Sequence, residues 1–106
     1  MQVNGGGGAL LNDGPTAEVV CTIADSHRRF GTTGMLPTVI TDAPAVTVAA
    51  IAAVREARAR GAASVLGIHI EGPFLDPARK GAHDLHFIRA MTEADVTLIT
   101  EAACGV

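Results

Sequence analysis

The chain has 106 residues, 48% of them hydrophobic, and a formal net charge of -3 with acids and bases mixed along its length. That predicts a single domain, numbered 1–106, with enough apolar side chains for a packed core, and gives no basic face for nucleic acid. The longest apolar stretch, from Ala43 to Val54, contains Pro44 and Thr47 and is too short to span a bilayer, so no membrane partner is expected.

There is no Trp or Tyr and there are only three Phe, so the core must come from Ala, Val, Ile and Leu, which suits parallel α/β packing. Cys21 and Cys104 stand alone without paired spacing. No basic segment followed by an apolar core opens the chain. A reduced, cytoplasmic setting is the expectation.

Met1-Gln2-Val3-Asn4 leads into Gly5-Gly6-Gly7-Gly8. A bare glycine run reads first as a flexible loop, and second as a backbone that can pass close to a ligand or metal. It is not a phosphate-cradling P-loop, because no Gly-Lys-Ser/Thr follows. Residues 9–12 have strand character, and Asp13-Gly14-Pro15 reads as a turn.

Thr16 is the expected cap of a helix running to about Phe30, with Val19, Val20, Ile23 and Ala24 on one face and Gly31 at its end. His27 reads as a solvated surface residue on that helix. Residues 33–40, Thr-Gly-Met-Leu-Pro-Thr-Val-Ile, predict a strand, with a bulge or kink where Pro37 withholds a ladder donor. Thr38 and Thr41 read as β-branched strand formers before they read as site residues.

Asp42 is the expected cap of a second helix reaching about Arg60, with Pro44 in its first turn. Its predicted buried stripe is Val46, Ala50, Ile51, Val54 and Ala57, and Arg55, Glu56, Arg58 and Arg60 form a solvated face. Gly61 closes it.

Residues 64–70 predict a buried strand. Alternation sends His69 and Glu71 to one side and Ile68 and Ile70 to the other. Gly72-Pro73 stops that strand, leaving the Glu71 carboxylate at its carboxyl end, where active sites of parallel α/β folds sit. A carboxylate beside an imidazole there suits a divalent metal.

A polar loop follows from Glu71 to Ala90, holding Asp76, Arg79, Lys80, His83, Asp84, His86 and Arg89. Loops this long with several ionisable residues are more often functional than idle. Thr92-Glu93-Ala94-Asp95 has the form of a capping box, opening a last helix to about Ala103. The β-α alternation points to a parallel sheet of about three βα units, a fragment of a (β/α)₈ TIM-like barrel or a small open sheet.

At these residues the chain resembles the N-acetylglucosamine-6-phosphate deacetylases of the amidohydrolase superfamily. The segments carrying the resemblance are Gln2-Val3-Asn4-Gly5 with Gly7-Gly8, and Thr33-Gly34-Met35-Leu36-Pro37-Thr38. The most specific is Gly67-Ile68-His69-Ile70-Glu71-Gly72-Pro73-Phe74 with Lys80-Gly81-Ala82-His83. They span nearly all of this chain and only part of the family's length.

The resemblance implies that Glu71 binds a divalent metal ion, zinc or similar, and that Ala82 and His83 contact an amino sugar phosphate. Gln2 and Asn4 fall where many amidohydrolases carry a His-x-His pair. Amides are poor ligands for a transition metal, so one metal is implied. His69 has two readings, a partner that orients Glu71 or a packed interior histidine.

The implied reaction is hydrolysis of the N-acetyl group, giving glucosamine 6-phosphate and acetate. The family's catalytic aspartate and further metal-binding histidines match no position here. The chain is therefore expected to be inactive alone, with no catalytic residue of its own. The family also implies a possible homo-oligomer. Two rival readings are a small non-catalytic α/β domain binding a sugar phosphate or a partner, and a sister amidohydrolase with another substrate. Lys80-Gly81-Ala82-His83 argues against the sister enzyme. Asp25, Asp84 and His86 have no assigned role.

Overall fold

The computed structural model describes residues 1–106. Its elements, in chain order, are β1 (Gln2–Val3), β2 (Gly5–Gly6), β3 (Ala9–Leu10), α1 (Ala17–Arg28), β4 (Leu36–Ile40), α2 (Pro44–Ala59), β5 (His69–Glu71) and α3 (Glu93–Thr100), with single 3-10 turns at Pro77–Arg79 and Leu85–Phe87. β1, β4 and β5 form a parallel sheet with β4 in the centre. The α/β class and parallel strands predicted from the alternation are therefore present.

The helices form where the local chemistry asks for them. The Thr16 hydroxyl accepts from Val19 N–H at 3.3 Å and starts α1. Thr92 and Asp95 make the full reciprocal capping box of α3. α1 packs on α2 and on the β2–β3 hairpin, α2 also packs on β4, and together they bury Val20, Ile23, Ala24, Ala50, Ile51, Val54 and Ala57 in one core. The core contains no aromatic side chain, as the composition required.

The glycine run is not a loose loop. It forms a hairpin in which Gly5 pairs with Leu10 and Gly6 with Ala9. Gly7 and Gly8 turn it at φ 62° and 81°. A two-residue hairpin whose central residues both have positive φ suits glycine, because a Cβ would crowd its own backbone there.

Asp42 does not cap α2. The N-cap is Ala43, which makes no side-chain cap bond. The Asp42 carboxylate instead accepts from Ala43 N–H at 2.7 Å and from the Asn12 side chain at 2.9 Å.

The strand expected over residues 64–70 is interrupted. Val65 bridges Met35, but the next regular pair is His69 with Thr38, so three steps along β4 are opposed by four on the partner. That is one extra residue, the count of a β-bulge. Met35 N–H donates to Ser64 O on that side, and alternation puts the Pro37 nitrogen on the same edge, where it has no proton to give. The irregularity expected at Pro37 thus appears in its neighbour. Ile68 N–H bonds to Gly105 O at 2.7 Å instead of to β4.

The last helix ends at Thr100, short of Ala103, because the chain turns back onto the sheet. Ala103 takes φ 53°, Cys104 is 1% exposed, and the Arg58 guanidinium donates to the Cys104 carbonyl. Burial pushes the Cys104 thiol up from its ordinary pKa. No helix is long and apolar enough to cross a membrane.

Candidate functional site

The parallel strands aim their carboxyl ends at one side of the sheet, and the polar residues gather there. Asn4 follows β1, Thr41 and Asp42 follow β4, and Glu71 closes β5. Ile70 lines an apolar cavity of about 310 Å³ between the sheet, α2 and α3. Glu71 does not line it, as alternation predicts.

The Glu71 side chain is 49% exposed, and its Oε1 stands 3.3 Å from Nε2 of His83, whose side chain is 13% exposed. Two residues singled out in the sequence and twelve positions apart are thus brought together. His83 Nδ1 lies 2.8 Å from the Thr41 hydroxyl. Ala82 is exposed beside His83. Lys80 Nζ donates to the His83 carbonyl at 3.2 Å, and His83 N–H donates to Lys80 O at 3.1 Å, closing the turn that carries the imidazole.

Below this pair the strand ends are tied by amides. Asn4 Nδ2 donates to Thr38 O at 2.8 Å and to Asn12 Oδ1 at 3.1 Å. The Asn12 amide also accepts from Ile40 N–H at 3.1 Å and donates to Ile40 O at 3.2 Å and to Asp42 Oδ2 at 2.9 Å. Gln2, the other amide of the first segment, is exposed and its side chain makes no hydrogen bond.

His69 makes no hydrogen bond to Glu71, and its Nδ1 is buried without a partner. The orienting bond is not seen, and the side chain is half-buried and not enclosed in the core. Asp84 accepts from His86 N–H at 2.9 Å and caps a 3-10 turn, while the His86 ring meets Phe87 edge-on at 5.1 Å. Neither bonds to Glu71 or His83.

The loop is held from behind. Arg89 N–H donates to Pro73 O at 3.1 Å, its guanidinium lies 5.2 Å from the Phe74 ring centre, and it grips Asp95 with two hydrogen bonds of 2.6 Å. The guanidinium holds the Asp95 carboxyl well below the usual carboxylate range, with help from Thr92.

Sequence reasoning missed three residues. Asn12 read only as the end of the strand-like stretch 9–12. Thr41 looked like a strand former, as Thr38 is: the Thr38 hydroxyl is used within its own strand, on Leu36 O at 3.2 Å. His27 looked solvated, but its Nε2 lies 3.0 Å from Gly5 O and braces the hairpin. The signal for Asn12 and Thr41 was present in their placement, each a polar residue just after an apolar pair.

No family model matches the chain. It is 46% identical over 105 residues to N-acetylgalactosamine-6-phosphate deacetylase of Shewanella sp. (strain ANA-3), covering 99% of this chain and 27% of that one. It is 35% identical over 92 residues to N-acetylglucosamine-6-phosphate deacetylase of Haemophilus influenzae, covering 87% and 24%. The crystal structure of N-acetylglucosamine-6-phosphate deacetylase from Pasteurella multocida superposes with a TM-score of 0.91 at 31% identity, over 97% of this chain and 27% of that one. The chain is a relative of the amino-sugar-6-phosphate deacetylases. It spans about a quarter of the length of the curated relatives it matches.

The divalent metal implied by that relationship finds one suitable carboxylate, Glu71. No three His, Cys, Asp or Glu side chains gather anywhere in the chain. A transition-metal site of tetrahedral type takes three or four protein donors. No self-contained donor set of that kind is present in this chain.

Proposed function

We propose that this chain is a section of a metal-dependent hydrolase that removes the acetyl group from an N-acetylhexosamine 6-phosphate, with N-acetylglucosamine 6-phosphate the substrate first expected. The observation that carries the reading is the half-exposed Glu71 carboxylate at the end of β5, set 3.3 Å from His83 in a chain whose whole length resembles deacetylases. The relatives' names divide between the galacto and gluco sugars, which differ only in the orientation of one hydroxyl, so the shared chemistry is the acetamido group and the phosphate.

In this reading Glu71 supplies one ligand to a single divalent cation, zinc or similar. That ion, when bound, would polarise the acetamide carbonyl and sharpen a water as nucleophile. His83 and the exposed Ala82 contact the sugar. The proton-moving carboxylate is assigned to no residue here, because Asp42 is held by Asn12 and Asp84 by its own turn. The three strands are read as consecutive strands of a (β/α)₈ barrel. Gly105 O on Ile68 N–H supports this, since it lies on the edge of β5 away from β4. Both sheet edges need neighbours, which also favours assembly with more of the same domain or with another copy. A cytoplasmic location is part of the same proposal.

One observation favours a second reading, a non-catalytic sugar-phosphate-binding domain: the chain holds no group of three metal donors. A chimera decides between them, with these 106 residues replacing the matching quarter of the Shewanella relative. The expected result is metal-dependent release of acetate from an N-acetylhexosamine 6-phosphate, lost with Glu71→Gln, while the 106-residue chain alone releases none. A folded chimera that binds sugar phosphate without hydrolysing it overturns the hydrolase reading.

A further inference from the structure

Two side chains from separate segments meet at His83. Thr41, 6% exposed, places its hydroxyl oxygen 2.8 Å from His83 Nδ1, and Glu71 Oε1 stands 3.3 Å from Nε2. A neutral imidazole has one N–H and one lone pair, a hydroxyl has one proton, and a carboxylate only accepts. Two arrangements are open to the neutral ring. With the proton on Nδ1, the Nε2 lone pair would face the carboxylate, and the Thr41 proton would have to go to Glu71 O at 3.5 Å, a long contact. With the proton on Nε2, Thr41 donates to Nδ1 at the short distance and Nε2–H donates to Glu71, so every proton is used.

We propose that Thr41 is a positioning residue for neutral His83: the Glu71 carboxylate, which can only accept, selects the Nε2–H tautomer, and the Thr41 hydroxyl donates to Nδ1 and fixes the ring at the mouth beside Glu71. The consequence for ligand rests on the function proposed above. Once Glu71 is taken up by the cation, the Nε2–H would pass from the carboxylate to an acceptor oxygen of the amino sugar, a hydroxyl or the ring ether, and would reject a group that can only donate. The site is built for this contact. Gly72, at φ 88°, leaves the space Thr41 fills, since a Cβ on it would stand 2.0 Å from the Thr41 hydroxyl oxygen.

The test is long-range proton–nitrogen NMR on the 106-residue chain with labelled histidine, at a pH about two units above the ordinary imidazole pKa of about 6.5. The expected spectrum has His83 Nδ1 unprotonated and Nε2 protonated. Thr41→Ser keeps that pattern. Thr41→Val, similar in shape, leaves the proton on Nε2 beside Glu71 and moves the Nδ1 resonance, because that nitrogen has lost its hydrogen bond. A wild-type ring protonated on Nδ1, or a Thr41→Val ring whose Nδ1 resonance stays where it is in the parent, overturns the proposal. If Thr41→Val fails to fold, the wild-type and Thr41→Ser spectra still decide. In the chimera, Thr41→Val should raise KM about three- to tenfold, the span of one hydrogen bond, with kcat changed less. A KM that does not move overturns the role in ligand selection. An inactive wild-type chimera sinks the hydrolase reading and leaves the tautomer result standing.

Discussion

Gly72 and Thr41 compete for the same small volume: a Cβ added to Gly72 would stand 2.0 Å from the Thr41 hydroxyl oxygen and 3.2 Å from Thr41 Cβ. Gly72 also holds φ 88°, a region that side chains with a Cβ rarely enter. Gly72→Ala should therefore cost about 1–3 kcal/mol from the backbone alone, with the steric term added. Chemical denaturation measures the loss. Because Gly72 follows Glu71 directly, the same variant should displace the carboxylate, visible as a changed His83 ring signal. An unchanged denaturation midpoint would show that the close approach is not present in solution.

Asn12 is predicted to be the least replaceable polar residue among the strand ends. Its amide accepts from Asn4 and from Ile40 N–H, and donates to Ile40 O and Asp42. Asn12→Asp keeps the shape, removes both donors and faces a carboxylate toward the carboxylate of Asp42. The expected loss is about 2 kcal/mol, from acceptors left unpaired and like charges in contact. Asn12→Asp paired with Asp42→Asn restores one donor across that contact and should recover part of the loss. Equal stability of the Asn12→Asp variant and the parent, by urea titration, would remove the network from the account of the fold.

These residues also mark where sequence reading reached its limit. The helices were legible because their determinants are local: Thr16 reaches Val19, and Thr92 and Asp95 bond to each other within four residues. The parallel sheet followed from element order, and Glu71 and His83 were legible through the segments that contain them. Asn12 bonds to Ile40 and Asp42, about thirty residues away, and nothing beside Asn12 in the chain specifies that. His27 had the same problem, since its partner Gly5 lies in a run whose composition fits both a loose loop and a tight hairpin. The interrupted strand before His69 was hidden because the cause, Pro37, sits in the neighbouring strand.

The hairpin gives a sharp contrast between two glycines only two positions apart. A Cβ on Gly6 would stand 2.5 Å from Ser26 Oγ and 2.7 Å from His27 Nε2, whereas nothing lies within 4 Å of one on Gly8. Gly6→Ala should disrupt the seat of the hairpin on α1 and lower the melting temperature. Gly8→Asn should be nearly neutral, because asparagine tolerates the positive φ of 81° found there, and Gly8→Val should not be. Thermal melts of the three variants rank them Asn at position 8 first. A tolerated Gly6→Ala would show that the hairpin does not pack on Ser26 and His27.

The loop behind the site should loosen in acid, and Asp95 sets the direction. Its carboxyl is held well below the ordinary value, first by the Arg89 guanidinium and then by the Thr92 hydroxyl and N–H. A carboxylate whose pKa is depressed by folding stabilises the native state above its unfolded value of about 3.9, and the contribution fades as pH falls through the lower folded value. Arg89 is shifted the opposite way and stays charged throughout. Asp95→Asn keeps the shape of the cap but removes the charge. The stability gap between parent and variant should be largest above about pH 5 and should shrink steadily below about pH 4. Thermal melts from acid to neutral pH measure it. A gap that stays constant across that range would mean that the Arg89–Asp95 pair does not hold residues 73–95 together in solution.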